Sequence, residues 1–221
     1  MVPNTYITAR SFKFLSDLAK NNNRDWFEDD LRELLLGFIE DCSEHLEKLS
    51  PHFEANARKV GGLLFRIFRD VRFSKDKSRY KTNPGVHFRH ERAKEAHAPG
   101  SYLHIDPKEL FMGLGIWHPE TAPAKQIREA IDDDPKGWKR ATGGKFAKTF
   151  TLEGESLKRP PAGFDKDHSL IEDLKRKDFI AVADLTQKQI CARNFMQEYA
   201  KLCAMGKPFM KFLTEALGLR F

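Results

Sequence analysis

The stretch Tyr102-Leu-His-Ile-Asp-Pro-Lys-Glu-Leu-Phe-Met-Gly-Leu-Gly-Ile-Trp117 decides the fold. It contains two alternating segments, residues 102–106 and 110–117, on either side of the turn formers Pro107 and Lys108. Alternation of apolar residues with polar or small ones is typical of a strand with one buried face. The link is too short for a parallel crossover, which needs roughly a dozen residues. The stretch therefore predicts neighbouring antiparallel strands.

Further strand patterns lie on both sides of this stretch. Residues 63–70 and 86–91 alternate in the same way, and Asn83-Pro-Gly and Ala98-Pro-Gly supply the turns between segments. Residues 61–117 therefore predict a β-meander. Two later segments, 149–152 and 177–182, are candidates for additional strands.

Helical periodicity surrounds the strands. Apolar residues recur at three- and four-residue steps over several segments, and the predicted helices are 11–20, 27–49, one from 121, one from 134, 169–175, one from 190 and one over 208–218. Gly206 is predicted to end the penultimate helix, and Pro208 to open the last one. This order predicts a single α+β domain over residues 1–221, with a central, mainly antiparallel sheet flanked by N-terminal and C-terminal helices.

Composition excludes several protein classes. The chain has 221 residues, 40% of them hydrophobic and 32% charged, which is enough to bury a core and excludes wholesale disorder. No apolar run approaches the roughly 18 residues that span a bilayer, so we expect no membrane segment. The three cysteines form no C-x-x-C pair. Unpaired, scattered cysteines predict reduced thiols and a cytoplasmic location.

Common catalytic and cofactor motifs are absent. Gly143-Gly-Lys145 is followed by Phe146 rather than Ser or Thr, which argues against a phosphate-binding loop. His118 stands where a dinucleotide fingerprint starting at Gly113 needs its third glycine. There is no Gly-x-Ser-x-Gly elbow and no H-E-x-x-H pair. The sequence therefore predicts no cofactor, and the tryptophans Trp26, Trp117 and Trp138 are expected in the core rather than as stacking surfaces.

Five stretches together resemble one protein family. They are Asn21-Asn-Asn-Arg-Asp-Trp-Phe27, Phe65-Arg-Ile-Phe-Arg-Asp-Val-Arg-Phe-Ser-Lys-Asp-Lys77, Tyr80-Lys-Thr-Asn83, Gly115-Ile-Trp-His-Pro119 and Asp173-Leu-Lys-Arg-Lys-Asp-Phe179. The chain resembles the uncharacterised family called domain of unknown function 2461, found in bacteria and fungi, over about residues 11–219. This resemblance implies no particular activity, substrate or catalytic residue.

Polar side chains alternate along the predicted strands. If the strands pair in the expected parity, one sheet face carries Arg66, His87, Arg89, Tyr102 and His104 above a floor formed by Gly113 and Gly115. Glycine lets a ligand approach the sheet closely, so this face is a candidate polar pocket in which His87 and His104 are the catalytic candidates. The alternative is an ordinary solvated sheet face.

The positive charge is concentrated in one segment. Residues 66–81, here called the basic segment, contain seven Lys and Arg against two Asp, which accounts for most of the formal net charge of +6. Clustered cations and hydroxyls suit phosphate or carboxylate oxygens. The anion-binding candidates are Arg66, Arg69, Arg72, Ser74, Lys75, Lys77, Lys81, Arg89 and Tyr102. A charged loop solvated by water is the alternative.

Function remains a choice among classes at this point. An enzyme or binding protein for an anionic small molecule is favoured. A nucleic-acid-binding module is disfavoured because the positive charge is concentrated in the basic segment instead of spread over a wide surface. A scaffold that docks an acidic protein is a further alternative. His87, His104, Asp106 and His118 are metal-ligating residue types, but no local spacing supports a site. We therefore predict no metal, and the sequence indicates no oligomeric state.

Overall fold

An antiparallel sheet forms the centre of the structure. The computed structural model describes residues 7–22, 53–54, 78, 80–83, 85–92 and 98–221. Its sheet has six strands in the order β1-β2-β3-β4-β6-β5, and every pair is antiparallel. The strands are β1 (Phe53–Glu54), β2 (Gly85–His90), β3 (Gly100–Ile105), β4 (Leu110–Ile116), β5 (Thr151–Glu153) and β6 (Phe179–Asp184).

Helices precede and follow the strands. In the described ranges they are α1 (Ala9–Lys20), α2 (Thr121–Asp133), α3 (Pro135–Thr142), α4 (Ile171–Leu174), α5 (Gln187–Ile190) and α6 (Phe195–Ala216). Local signals explain several of their ends: Pro135 opens α3 after Asp134, whose side chain accepts a hydrogen bond from Gly137 N at 2.8 Å. No helix within these ranges is both long and apolar enough to cross a bilayer.

The predicted α+β class is confirmed, with an antiparallel sheet and helices at both ends. The observed β2, β3 and β4 fall within two residues of the predicted segments, and the two optional strands are present as β5 and β6. The predicted helix over 27–49 and the predicted strand over 63–70 lie outside the described residues.

The C-terminal prediction was wrong in one respect, because α6 runs through Gly206 and Pro208 as one helix of 22 residues. Gly206 serves close packing rather than termination: a Cβ at this position would overlap with the side chain of Leu114 on β4. Phe209 and Leu213 beyond it are fully buried. Burial of this apolar face outweighs the intrinsic cost of a glycine and a proline inside the helix.

The two faces of the sheet differ sharply. One face carries buried apolar residues from each long strand, including Phe88, Leu103, Met112 and Ala181, and packs against the helices. Trp138 is 1% exposed within this core, as expected. The expectation for Trp117 was wrong: it follows the last residue of β4, beyond the sheet, and its side chain is 70% exposed. Trp26 lies outside the described residues.

Candidate functional site

The strand register brings the described polar candidates onto the second face. His87 lies opposite Tyr102, and Tyr102 lies opposite Gly113 on the next strand. Two residues along the strand from His87, Arg89 lies opposite Gly100. Two residues along from Tyr102, at the other end, His104 lies opposite Gly85 and Phe111. His87, Arg89, Tyr102 and His104 therefore share one surface, here called the polar face, as the alternation predicts.

Glycines on this face make room for the polar rings. A Cβ at Gly100 would overlap with Nε2 of His87, and a Cβ at Gly85 would lie 2.5 Å from the hydroxyl of Tyr102. Each ring therefore occupies space that a side chain at the glycine would fill, and the two rings meet edge to face with their planes inclined by 87°. Of the two glycines expected to form the pocket floor, only Gly113 has space above it, since a Cβ there would have ordinary contacts of 3.9 Å or more. Gly115 has φ of 111°, and a Cβ there would overlap with the carbonyl of Phe179.

A hydrogen bond from Arg89 fixes the chemistry of His87. Arg89 Nε donates to His87 Nδ1 at 3.1 Å. Because a guanidinium can only donate, Nδ1 must accept, and neutral His87 carries its proton on Nε2. Burial, assisted by the charge of Arg89, lowers the pKa of His87 from its ordinary value of 6.5 to about 4. At neutral pH His87 is therefore an uncharged N–H donor.

A second polar line runs through Tyr102. Its hydroxyl lies 3.0 Å from His104 Nδ1, and His104 Nε2 lies 4.0 Å from a carboxylate oxygen of Glu109. The imidazole of His104 stacks on Phe111 with ring centroids 4.7 Å apart. Burial raises the pKa of Tyr102, with the Glu109 charge adding to the effect, so the phenol keeps its proton at neutral pH.

His104 is also tuned toward its neutral form. Burial lowers the pKa of His104, although the carboxylates of Glu109 and Asp106 oppose that shift. A neutral His104 can accept from the Tyr102 hydroxyl on one nitrogen and face Glu109 with the other. Sequence reasoning missed Glu109, because the turn that returns it toward His104 becomes visible only with the register.

Arg89 supplies the fixed charge of the polar face. Its side chain is exposed at the surface, and its Nε is engaged by His87. Within the described part of the chain, no residue pairs with its terminal guanidinium nitrogens at salt-bridge distance. A guanidinium held through Nε presents its terminal N–H groups as a fork that matches carboxylate or phosphate oxygens.

The whole-chain comparison assigns the family. Residues 10–212 match the family described as "Conserved hypothetical protein (DUF2461)". The chain belongs to the DUF2461 family. No curated protein and no solved structure matches it. The family resemblance predicted from the five sequence stretches is thereby confirmed.

Only the end of the basic segment of this DUF2461 chain belongs to the described residues. Arg66, Arg69, Arg72, Ser74, Lys75 and Lys77 lie outside the described residues, and Lys81 is half-buried. The end of the segment is anchored: Tyr80 is 4% exposed, and its backbone N–H donates to Asn22 Oδ1 at 2.7 Å while Asn22 Nδ2 donates to the Tyr80 carbonyl at 2.8 Å. These bonds tie residue 80 to the chain that follows α1.

The four residues of metal-ligating type, His87, His104, Asp106 and His118, do not form a metal-binding group in the described structure. His104 lies opposite Phe111 near the start of β4, whereas His118 follows the end of that strand. β4 has seven residues and spans about 20 Å. Among the residues that the structure describes, no three His, Cys, Asp or Glu side chains are grouped to hold a metal ion. His104 and His118 therefore lie near opposite ends of β4.

Proposed function

We propose that this protein binds an anionic small molecule, phosphorylated or carboxylated, on the polar face. The observation that carries the proposal is the Arg89–His87 hydrogen bond of 3.1 Å. It orients a permanent cation beside a neutral imidazole whose proton lies on Nε2. At neutral pH the guanidinium and this N–H can only donate, and donors together with one positive charge are what a phosphate or carboxylate requires.

The same face holds groups suited to proton transfer. Tyr102, His104 and Glu109 form a line from a protonated phenol to an exposed carboxylate, with separations of 3.0 and 4.0 Å. Tyr102 and His104 can exchange a proton directly at 3.0 Å, whereas the 4.0 Å step from His104 to Glu109 needs one bridging water, with His104 as the relay. In this proposal His87 and His104 are the acid–base residues of an enzyme, or donors of a binding protein.

In this proposal the basic segment also takes part in binding the anion. Further cations and donors would come from Arg66, Arg69, Arg72, Ser74, Lys75, Lys77 and Lys81. The buried Tyr80 anchors the end of the segment to the body of the fold.

A cytoplasmic location belongs to the same proposal. It is supported by the free thiols of Cys191 and Cys203.

The test compares phosphate with chloride at matched ionic strength. Phosphate should raise the melting temperature of the wild type more than chloride does, and saturation at a hundredfold excess over the dissociation constant corresponds to about 2.7 kcal/mol. Arg89→Gln should abolish that gain. Arg193→Gln, which removes an exposed arginine just before α6, is the matched control and should retain it. Equal phosphate shifts in the Arg89 and Arg193 variants would contradict the proposal.

The nucleic-acid alternative predicts a different salt dependence. If about five cations of the basic segment met phosphates of a single strand, the logarithm of affinity would fall against the logarithm of salt with a slope of roughly −3.5. A site for one phosphate or carboxylate group releases fewer counterions and should show a shallower slope. Micromolar single-strand binding with the steep slope, lost on charge reversal at Lys75 and Lys77, would replace the small-molecule proposal.

A further inference from the structure

A second histidine is held by a buried carboxylate at the far end of β4. Asp178, which precedes β6, is 1% exposed. Its Oδ1 accepts from the backbone N–H of His118 at 2.7 Å and lies 2.9 Å from His118 Nδ1, while Oδ2 accepts from the backbone N–H of Glu155 at 2.8 Å. Since a carboxylate only accepts, Nδ1 of His118 carries the proton, and the lone pair of neutral His118 lies on Nε2.

The backbone at His118 supports a role beyond packing. Its φ is 48°, and within the described ranges it is the non-glycine residue with a positive φ. A side chain in this conformation is strained, and such strain persists only where the surroundings over-determine it. The two bonds from His118 to Asp178 supply that constraint. Gly154 completes the arrangement, because a Cβ there would overlap with the Cβ of Asp178.

An exposed indole lies directly beside this imidazole. The rings of Trp117 and His118 stack with centroids 4.3 Å apart and planes inclined by 26°. Trp117 is 70% exposed, and His118 is 56% exposed at its side chain. Large aromatic side chains are mostly buried, so an exposed indole held rigidly against a fixed imidazole offers a flat surface for a second ring.

The charges around the pair define what the surface can accept. Asp178 contacts His118 directly. Glu155 interacts with the same histidine and is paired with Lys177 at 2.9 Å, and the hydrogen bond from Lys177 is the main cause that lowers the pKa of Glu155. Two carboxylates near an imidazole acceptor disfavour an anion. They favour a neutral group that donates a hydrogen bond.

We propose that Trp117, His118 and Asp178 form a second binding site, the Trp–His–Asp site, which takes a planar heteroaromatic ring bearing an N–H donor, of the purine nucleoside class. The ring lies beside the imidazole and in its plane, where it covers the part of the Trp117 indole that His118 leaves open and donates its N–H to Nε2 of His118. Asp178 is a positioning residue that sets the tautomer and orientation of His118. The site joins two of the stretches through which the chain resembles its family, 115–119 and 173–179.

The probes for this site are adenosine and guanosine, which carry no phosphate, and ribose, which carries no ring. Calorimetric titration of the wild type should give saturable binding of a nucleoside with a dissociation constant of about 1 mM or lower. Ribose should give none. Trp117→Ala should weaken nucleoside binding about tenfold or more, the usual effect of losing one stacking partner.

His118→Asn separates hydrogen bonding from loop structure. Asparagine tolerates a left-handed backbone and can still donate to Asp178, but it lacks the outward Nε2 acceptor. We expect weaker nucleoside binding with an unchanged melting temperature. His168→Ala is the matched control, because His168 lies 3.4 Å from Asp132 through Nε2 and uses Nδ1 to accept from the Leu170 backbone. It should bind nucleosides as the wild type does.

The outcomes for the two proposed sites are independent. Nucleoside binding should survive Arg89→Gln, and phosphate stabilisation should survive Trp117→Ala. A wild type whose dissociation constants for both nucleosides exceed about 1 mM, or a Trp117→Ala variant that binds as tightly as the wild type, would overturn the Trp–His–Asp site. Either result would leave the anion proposal to be judged by its own phosphate test.

Discussion

His87 and His118 are fixed in opposite ways. His87 is held by a cation, since Arg89 Nε donates to its Nδ1 at 3.1 Å, and its ring lies against the sheet. His118 is held by an anion, since its Nδ1 lies 2.9 Å from Asp178, and more than half of its side chain is exposed. The second ring nitrogen of the neutral imidazole is consequently a donor at His87 and an acceptor at His118.

This difference shows how one residue type acquires two chemistries in one fold. The partner of the first ring nitrogen decides whether the second nitrogen donates or accepts. A donor beside a guanidinium suits an oxyanion, whereas an acceptor beside an indole suits an N–H-bearing ring.

Removing Asp178 should have the largest effect. Asp178→Ala leaves the backbone N–H groups of His118 and Glu155 without their acceptor, and it removes the contact that holds φ of His118 at 48°. Because hydrogen bonds to a buried charged group are lost, we expect the free energy of unfolding to fall by about 3 kcal/mol. Urea denaturation measures it.

The control for this change is an exposed aspartate. Asp165→Ala removes an exposed carboxylate whose Oδ1 accepts from the Asp167 backbone N–H at 2.9 Å, and it should change the free energy of unfolding by less than about 1 kcal/mol. If Asp178→Ala were as mild as Asp165→Ala, the carboxylate would not be holding His118. The contact between Asp178 and His118 would then contribute little to stability.

The pH dependence of stability should reveal the environment of His87. Above pH 6.5 the imidazole is neutral in both the folded and unfolded states. Between pH 6.5 and about 4 the unfolded chain binds a proton that folded His87 does not, because its folded pKa is about 4. Stability should therefore decline by about 2 kcal/mol as pH falls through this window, after allowing for partial exposure, and the decline should level off below it.

His87→Gln isolates this contribution. The variant should lose most of the decline between pH 6.5 and about 4, while a residual slope in the same direction remains from His104, whose pKa is also lowered. The measurement is the free energy of unfolding across this pH range. An identical slope in wild type and variant would mean that His87 titrates normally in the folded protein.

Gly100→Ala should move His87 without removing it. The new Cβ would overlap with Nε2 of His87, so the ring must leave its position over the sheet. We expect a loss of about 1.5 kcal/mol from overpacking. The pKa of His87 should rise toward 6.5, because the displaced imidazole becomes better hydrated. The ring-proton titration of His87 by NMR would test this; an unmoved pKa would show that the glycine is not what admits the ring.

The smallest effect is expected from Arg89→Gln on the titration of His87. Arg89 is the second cause of the low pKa, after burial. Its removal should raise the pKa of His87 slightly, by less than about one pH unit, while leaving it below 6.5. The same NMR titration measures the change. A return to the ordinary value would mean that charge rather than burial controls this histidine.

Much of the polar face could be predicted from the sequence. Because strand side chains alternate with a period of two, the order of residues alone assigns His87, Arg89, Tyr102 and His104 to one side of their strands. Short turns then make the strands antiparallel neighbours. Local periodicity and turn chemistry also determine α1, α2 and α3, since each depends on residues only a few positions apart.

Other features depended on contacts that local patterns do not contain. Gly206 and Pro208 remain helical because the helix packs against Leu114 and buries Phe209 and Leu213, although the residues themselves favour a break. The pairing of His118 with Asp178 joins positions 60 residues apart. Neither residue carries a local signal for the other; only the antiparallel contact of β4 with β6 brings the end of one strand to the start of the other. Periodicity assigns each side chain to a face, whereas tertiary packing determines which distant residue it meets.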